Sequence, residues 1–401
     1  MSSKSPSKTL VILGAGIAGV PIAHHVLRFT VPKVPNLRVI LVSPNTDFYW
    51  SLASPRGIIS EDFSEKLFLP LATAFSKYDP KNFELIHGTA ETLDQDRNTV
   101  SVALASGGGG IRDIPYDAVV VATGSRDTQG MPWKGLGSTK DTRQALHDLQ
   151  HKINTAKTIV VAGAGPTGVE VAGELGERFS SSSTNTEVIY VISDDLPLAP
   201  PAKHSVRETV RSALENKLKV TIIKNTRVSS ATTSTEPGKT TLELTSKDGR
   251  KRTLVADVYL PAFGVTPNTG FVPPHLLAPS GQIKQTARGL RAEGCENVFV
   301  IGDAGNLEDT RSFNTDRQTH YLARVLQTYF IHGGEVEEPE YKPGTDFVLG
   351  LSIGKNMGAG QAMGMKIFGW VLWYFKSRYM GTDVVGDFVE GKRSITGKLK
   401  G

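Results

Sequence analysis

Cysteine is nearly absent from this chain: Cys295 is the only one in 401 residues. A single thiol cannot close an intramolecular disulfide, so a disulfide-stapled scaffold is excluded, and so is electron transfer through a cysteine pair within the chain. Long apolar runs are missing too. The most apolar stretch, Met365–Phe375, falls short of the ~20 residues that a membrane-crossing helix needs. The N-terminus, Met-Ser-Ser-Lys-Ser-Pro-Ser-Lys, lacks the apolar core of a secretory signal and carries Ser2 where N-myristoylation requires glycine. These absences predict a cytoplasmic protein. No block of like charge reaches five residues, which disfavours nucleic acid as a partner although the net charge is +5. Basic residues gather late instead, at Lys376, Arg378, Lys392, Arg393, Lys398 and Lys400, beyond the most apolar stretch. That neighbourhood suits an anionic membrane surface.

Glycine, by contrast, is plentiful and patterned. Gly14-Ala15-Gly16-Ile17-Ala18-Gly19 follows the apolar run Leu10–Leu13, and Gly163-Ala164-Gly165-Pro166-Thr167-Gly168 follows Thr158–Ala162. Each reads as strand, turn and helix. The first glycine permits the tight turn, the second lets the backbone approach a pyrophosphate, and the third lets helix and strand pack closely. The diphosphate then sits on unpaired N–H groups at the positive end of the helix dipole. Two such units imply two dinucleotides.

The coarse order along the chain fits this duplication. The first unit continues through a helix near Val20–Phe29 to a strand at Leu37–Val42. A hairpin is predicted where Thr99–Leu104 and Ile111–Asp117 flank the loop Ser106–Gly110, and Ala118–Gly124 reads as a buried strand ending in a turn. The second unit spans Thr158 to about Ile192, its helix leaving through Ser180–Thr186. Another hairpin surrounds Ser229–Lys239, and Val255–Leu260 mirrors the earlier buried strand before Gly264. Asn297–Asp303 is an apolar strand ending in an acid, followed by a helix from about Thr315 to Tyr329. The predicted class is α/β, with two Rossmann-like dinucleotide-binding domains, the second inserted in the first, and a C-terminal cap. Residues 1–125 and 290–338 are assigned to the first domain, 126–289 to the second and 339–401 to the cap.

Five motifs stand in fixed order: GAGIAG at 14–19, ATGSR at Ala122–Arg126, GAGPTGVE at 163–170, FGVTPN at Phe263–Asn268 and VFVIGDA at Val298–Ala304. Together they resemble the glutathione-reductase-like flavoproteins of the pyridine nucleotide-disulfide oxidoreductase superfamily. A finer resemblance is to apoptosis-inducing-factor-like flavoproteins of the ferroptosis suppressor type, relatives of the type II NADH:quinone dehydrogenases. Leu41–Arg56, Gly165–Glu174, and the run from Tyr341 through Ser352–Lys355 to Lys376–Arg378 carry it.

The resemblance implies FAD on Gly14, Ala15, Gly16, Ile17, Ala18 and Gly19, and NADH or NADPH on Gly163, Gly165, Pro166, Thr167 and Gly168. It implies that Ala122, Thr123 and Gly124 bring backbone close to FAD, that Gly302 and Asp303 meet its ribitol or pyrophosphate region, and that Gly264 lies by the nicotinamide nucleotide. Arg56 is expected on the FAD phosphate side. Glu170 is expected near nicotinamide and flavin, and Lys376 at the flavin or quinone end, both as candidate catalytic residues. Plainer roles stand beside these: a solvated arginine, a helix-capping glutamate and a snorkelling lysine. With no cysteine pair, a diffusible quinone-type acceptor is expected. The alternatives are a reductase for a ferredoxin or oxygenase, and an NADH-sensing signalling protein that binds DNA or membrane.

Two departures qualify the pattern. A Rossmann ribose grip normally carries Asp or Glu at the end of the second strand, where this chain has Ser43 and Ser193. Asp47 is a substitute in the first unit. In the second, Asp194 and Asp195 tilt the choice toward NADH, while Lys203 and Arg207 keep NADPH open. The stretch Met365–Phe375 is apolar nearly all round, so it is buried core, a homo-oligomer face or an interfacial segment. Its Trp and Tyr content beside Lys366, Lys376 and Arg378 favours the interface. The resemblance implies, as the particular membrane, a lipid droplet or the mitochondrial outer surface. His275 and His320 read as structural, and no metal site is expected.

Overall fold

The computed structural model describes residues 7–105, 109–180, 185–309, 311–333 and 339–399. Residues 1–6, 106–108, 181–184 and Lys400, on which parts of the sequence expectations fall, lie outside the described residues.

The strand Lys8–Leu13 is buried at its last four positions, as expected for a sheet covered on both faces. It pairs in parallel with Leu37–Ser43 and with Ala118–Val121. Val298–Val300 joins the far side of Ala118–Val121, and Phe83–Asp94 joins Leu37–Ser43, both in parallel. Thr99–Leu104 and Ile111–Pro115 complete a seven-stranded sheet as antiparallel additions. The second sheet repeats the theme: Thr158–Ala162 lies between Glu187–Val191 and Val258–Pro261, with Thr221–Ile223 at the edge. An antiparallel meander, Thr226–Thr233, Thr240–Ser246 and Lys251–Ala256, packs Leu242, Leu244 and Ala256 against Val160, Ala162, Ile189 and Val191.

One expected strand divides. Val255–Leu260 is split at Asp257, whose Oδ2 accepts from the backbone N–H of Lys157 and Thr158, both at 2.8 Å. The carboxylate pins the chain at the start of Thr158–Ala162, so the residues before it belong to the meander and those after it to the parallel sheet. Two short segments, Ser125–Asp127 and Val265–Pro267, follow the mirrored strands and pair antiparallel. The first-unit helix, Gly19–His25, continues through a wider turn to Thr30, and the late helix runs over Ser312–His332.

The C-terminal cap contains strands that its sequence does not suggest: Leu349–Ile353, Met357–Ala362 and Met365–Lys366 form an antiparallel sheet. Gly350, Gly358 and Gly360 weaken the strand signal. The sheet forms because it can lie very close to the second-unit helix, Pro166–Ser180: a Cβ on Gly173 would stand 2.8 Å from the backbone nitrogen of Gly354.

The apolar stretch is not a single helix. It begins in a strand, Met365–Lys366, turns, and becomes the helix Gly369–Leu372, which continues to Ser377. Leu372 packs inward, but Phe368, Trp370 and Phe375 are 74, 71 and 75% exposed. Burial in the core is therefore overturned for these rings. Among the described residues no helix is long and apolar enough to cross a membrane.

Candidate active site

Two nearly identical turns define the site. Gly14 has φ +105° and Gly163 has φ +124°, in the left-handed half of backbone space that favours glycine. A Cβ on either would meet a backbone carbonyl oxygen at 2.5 Å: Ala122 for Gly14, Ala262 for Gly163. These are the residues just past the neighbouring strands. The third glycines match as well, since a Cβ on Gly19 would fall 1.8 Å from the Gly14 oxygen and one on Gly168 2.0 Å from the Gly163 oxygen. At the middle positions, Gly16 and Gly165, a Cβ would meet nothing within 4 Å. Each turn thus closes tightly on protein and is open where a diphosphate would approach, with helix N–H groups behind it.

Both turns face a single cleft of about 2240 Å³. That exceeds the ~300–1,000 Å³ of ordinary ligand pockets, leaving room for two large ligands. Its walls include Gly14–Ala18, Ser43, Ala122–Gly124, Gly302 and Asp303 from the first unit and Gly165–Thr167 and Glu170 from the second. Lys376 comes from the cap. The two linkers are locked together here: Thr123 Oγ1 donates to the Asn268 carbonyl at 2.7 Å, and Asn268 Nδ2 donates back to Thr123 O at 3.0 Å. Asp303 Oδ2 accepts from Ser125 Oγ at 2.6 Å and from Lys134 Nζ at 2.7 Å.

Glu170 and Lys376 meet although 206 residues separate them. Lys376 Nζ lies 2.9 Å from Glu170 Oε1 and also donates to the Gly350 carbonyl at 2.7 Å. The same Glu170 oxygen accepts from the Ser352 N–H at 3.0 Å. The carboxylate is buried, so its partners replace the water it has lost.

Arg56 requires a correction. It is neither solvated nor on the cleft: it is 6% exposed and forks onto Glu174, with Nε 2.9 Å from Oε2 and Nη2 2.6 Å from Oε1. It also donates to the Arg378 and Gly354 carbonyls, at 3.2 and 3.3 Å, and to Ser352 Oγ at 3.4 Å. Burial pushes the Glu174 carboxyl above its ordinary range, and the Arg56 guanidinium opposes that shift.

Other expected residues also lie off the cleft wall. Gly163, Gly168 and Gly19 serve the turns from behind. Gly264, at φ +83°, makes a tight linker turn where a Cβ would meet Thr128 Oγ1 at 2.4 Å. Ser193 does not line the cleft, and Ser43, which does, accepts from the Asn45 N–H at 3.1 Å. Beside Ser193, Asp194 pairs with Lys247 at 3.3 Å and Asp195 accepts from Asn225 at 2.5 Å. Arg207 is engaged by the carbonyls of Leu196 and Pro197, at 3.1 and 3.2 Å.

Sequence reasoning missed Lys134 and Asp127, both on the cleft. Asp127 is buried, which raises its carboxyl above the usual range, while the N–H groups of Met131 and Gln129 counter the shift. Asp127 ends the short strand Ser125–Asp127 and Lys134 follows in an aperiodic loop, so neither carries a periodic signal. The acidic strand end at Asp303 was the only sequence pointer toward a cation there.

Two duplicated dinucleotide turns on one cleft define a two-nucleotide flavoprotein oxidoreductase of the glutathione-reductase-like class. The chain belongs to the pyridine nucleotide-disulphide oxidoreductase family, whose description matches residues 8–319. It is 38% identical over 368 residues to the oxidoreductase ptaL of Pestalotiopsis fici, covering 91% of this chain and 94% of that one. It is 26% identical over 372 residues to ferroptosis suppressor protein 1 of Homo sapiens, covering 92% of each. In fold it resembles the sulfide:quinone oxidoreductase of Aquifex aeolicus, with a TM-score of 0.73 at 16% identity, over 96% of this chain and 92% of that one.

FAD and NAD(P)H are accordingly the cofactors. The residues fit them: the open faces of Gly16 and Gly165 leave space that a Cβ would otherwise enter, and the Thr123–Ser125 linker, Lys134 and Asp303 line the same cleft.

Proposed function

We propose that this protein oxidises NAD(P)H and delivers the electrons to a quinone-type acceptor. The Glu170–Lys376 pair carries the proposal: a buried carboxylate and a cation meet on the cleft shared by both nucleotide turns. FAD, when bound, would supply the redox chemistry: hydride acceptance from the nicotinamide and electron release to the acceptor. The protein's own contribution is placement. Gly165–Thr167 and the helix N-terminus behind them hold one diphosphate, and Gly14–Ala18 hold the other. Glu170, fixed by Ser352 and Lys376, orients a polar group of the nicotinamide. Lys376 presents a donor and a positive charge to oxygen that gains electron density during reduction.

The acceptor enters past Tyr374, Phe375 and Tyr379, which line the cleft mouth and suit a planar apolar ring. The exposed rings of Phe368, Trp370 and Phe375, with Lys366 and Arg378 beside them, support peripheral membrane contact at that mouth. The fold likeness to a sulfide:quinone oxidoreductase agrees with this chemistry. The test is anaerobic: FAD-loaded protein bleaches with NADH or NADPH and recolours with a short-chain quinone. If the loaded protein fails to bleach with either nucleotide, the proposal is wrong. If it bleaches but recolours only with a ferredoxin, the acceptor is a protein.

A further inference from the structure

We propose that Arg56, held by Glu174, is a positioning residue that fixes the Lys376–Glu170 pair at the cleft. The proposal rests on the functional reading of that pair. Arg56 touches neither member of it. Its guanidinium instead holds the cap on both sides of the pair: Nη1 donates to Arg378 O, two residues beyond Lys376, and Nη2 lies 3.4 Å from Ser352 Oγ. Ser352 is the residue whose N–H donates to Glu170 Oε1 at 3.0 Å. The Gly354 carbonyl, which also accepts from Ser352 Oγ at 2.8 Å, takes a further Arg56 hydrogen bond at 3.3 Å.

The helical spacing completes the device. Glu170 and Glu174 are four residues apart on the helix Pro166–Ser180, so both carboxylates rise from one face. Each meets a cation from a different segment: Lys376 of the cap for Glu170, Arg56 of the first unit for Glu174. Three parts of the chain are thereby braced around one helix turn. A simple stabilising role explains this poorly, because a buried ion pair gains little over apolar packing once desolvation is counted. Fixed orientation explains it better. The fork onto Glu174 sets the guanidinium plane, and its remaining donors reach cap atoms that a lysine cannot reach together.

The test uses FAD-loaded full-length protein with Arg56→Lys and Glu174→Gln, each alone and combined with Lys376→Met. Glu174→Gln keeps the shape of the pair and serves where Arg56→Lys folds poorly. Rates of anaerobic bleaching by NADH and of recolouring by a short-chain quinone are measured, together with backbone hydrogen exchange over residues 349–378. Arg56→Lys is expected to slow both bleaching by NADH and recolouring about 10-fold or more, since a shift near 1 Å can cost ~100-fold, with FAD content nearly unchanged. In the Lys376→Met background it should cause little additional loss, because both changes act on one group. Exchange at Ser352 and around Lys376 should quicken. Additive losses in the double variants, or unchanged exchange in this segment, would overturn the proposal. The exchange measurement needs no quinone, so it judges the brace even if wild-type protein proves to use another acceptor.

Discussion

Replacing single glycines of the second fingerprint separates nucleotide binding from folding. A Cβ on Gly168 would lie 2.0 Å from the Gly163 oxygen, where real contacts begin near 3.0 Å, so helix and turn must part by about 1 Å. Overpacking of that kind costs ~1–3 kcal/mol, and a domain of this size loses ~2–4 °C in thermal midpoint per kcal/mol. The same displacement moves the N–H groups that hold the diphosphate, a change that can slow transfer ~100-fold. Gly165→Ala differs in kind: its Cβ meets nothing within 4 Å, so the methyl enters only the nucleotide's space. Thermal unfolding, FAD absorbance and stopped-flow bleaching by NADH are compared for both. Gly168→Ala is expected to lower the midpoint by several degrees and slow bleaching while staying yellow. Gly165→Ala should keep the wild-type midpoint and still lose bleaching. Gly19→Ala, with its Cβ 1.8 Å from the Gly14 oxygen, should instead lose FAD. Wild-type bleaching in Gly168→Ala, or FAD loss in it matching that of Gly19→Ala, would refute the assignment of the second turn to the nicotinamide nucleotide.

Further outcomes are expected. Glu170→Gln, which keeps an acceptor for the Ser352 N–H but removes the charge opposite Lys376, should lower the maximal rate more than FAD content, read by steady-state turnover against flavin absorbance. His24 stacks on Phe75 and bridges Tyr78 and the Val389 carbonyl; burial, with help from Lys77 and Arg28, lowers its pKa to about 3. Its folded pKa is below its unfolded value, so the neutral ring's contribution is full above pH ~6.5 and is lost as pH falls toward 3, by at most ~1.4 kcal/mol per unit. Thermal midpoints measured from pH 7 to 5 should fall less steeply in His24→Gln; an unchanged slope would show that His24 does not set it. Replacing Phe368 and Trp370, which are exposed and do not line the cleft, by serine should reduce sedimentation with anionic vesicles while leaving turnover with a water-soluble quinone near wild type.

Much of the fold is legible because parallel strands are buried on both faces and so appear as unbroken apolar runs. Leu10–Leu13, Thr158–Ala162 and Ala118–Val121 could be placed from composition alone, and the glycine spacing marked both turns. Val255–Leu260 misled for a local reason: Asp257 cuts the run with a hydrogen bond to a residue 100 positions earlier. The cap strands misled because their glycines serve close approach to the helix Pro166–Ser180 and not strand propensity.

The sequence by itself determined the class: two dinucleotide turns, no cysteine pair, and candidate charges at Glu170 and Lys376. The turns depend on neighbours within about six residues, where turn geometry and helix polarity act, the cysteine argument on a count over the chain, and the two charges on the resemblance. Only the tertiary structure decided which groups these charges meet. Arg56, expected from the resemblance at the cofactor, is buried away from the cleft, and its partners Glu174, Ser352 and Arg378 lie 118, 296 and 322 residues away. Desolvation made that pairing obligatory: a guanidinium 6% exposed must find its carboxylate wherever the chain brings one. The aromatic rings past Met365 went the other way, remaining on the surface because the cap sheet beneath them takes in only Leu372 from the stretch between Phe368 and Phe375.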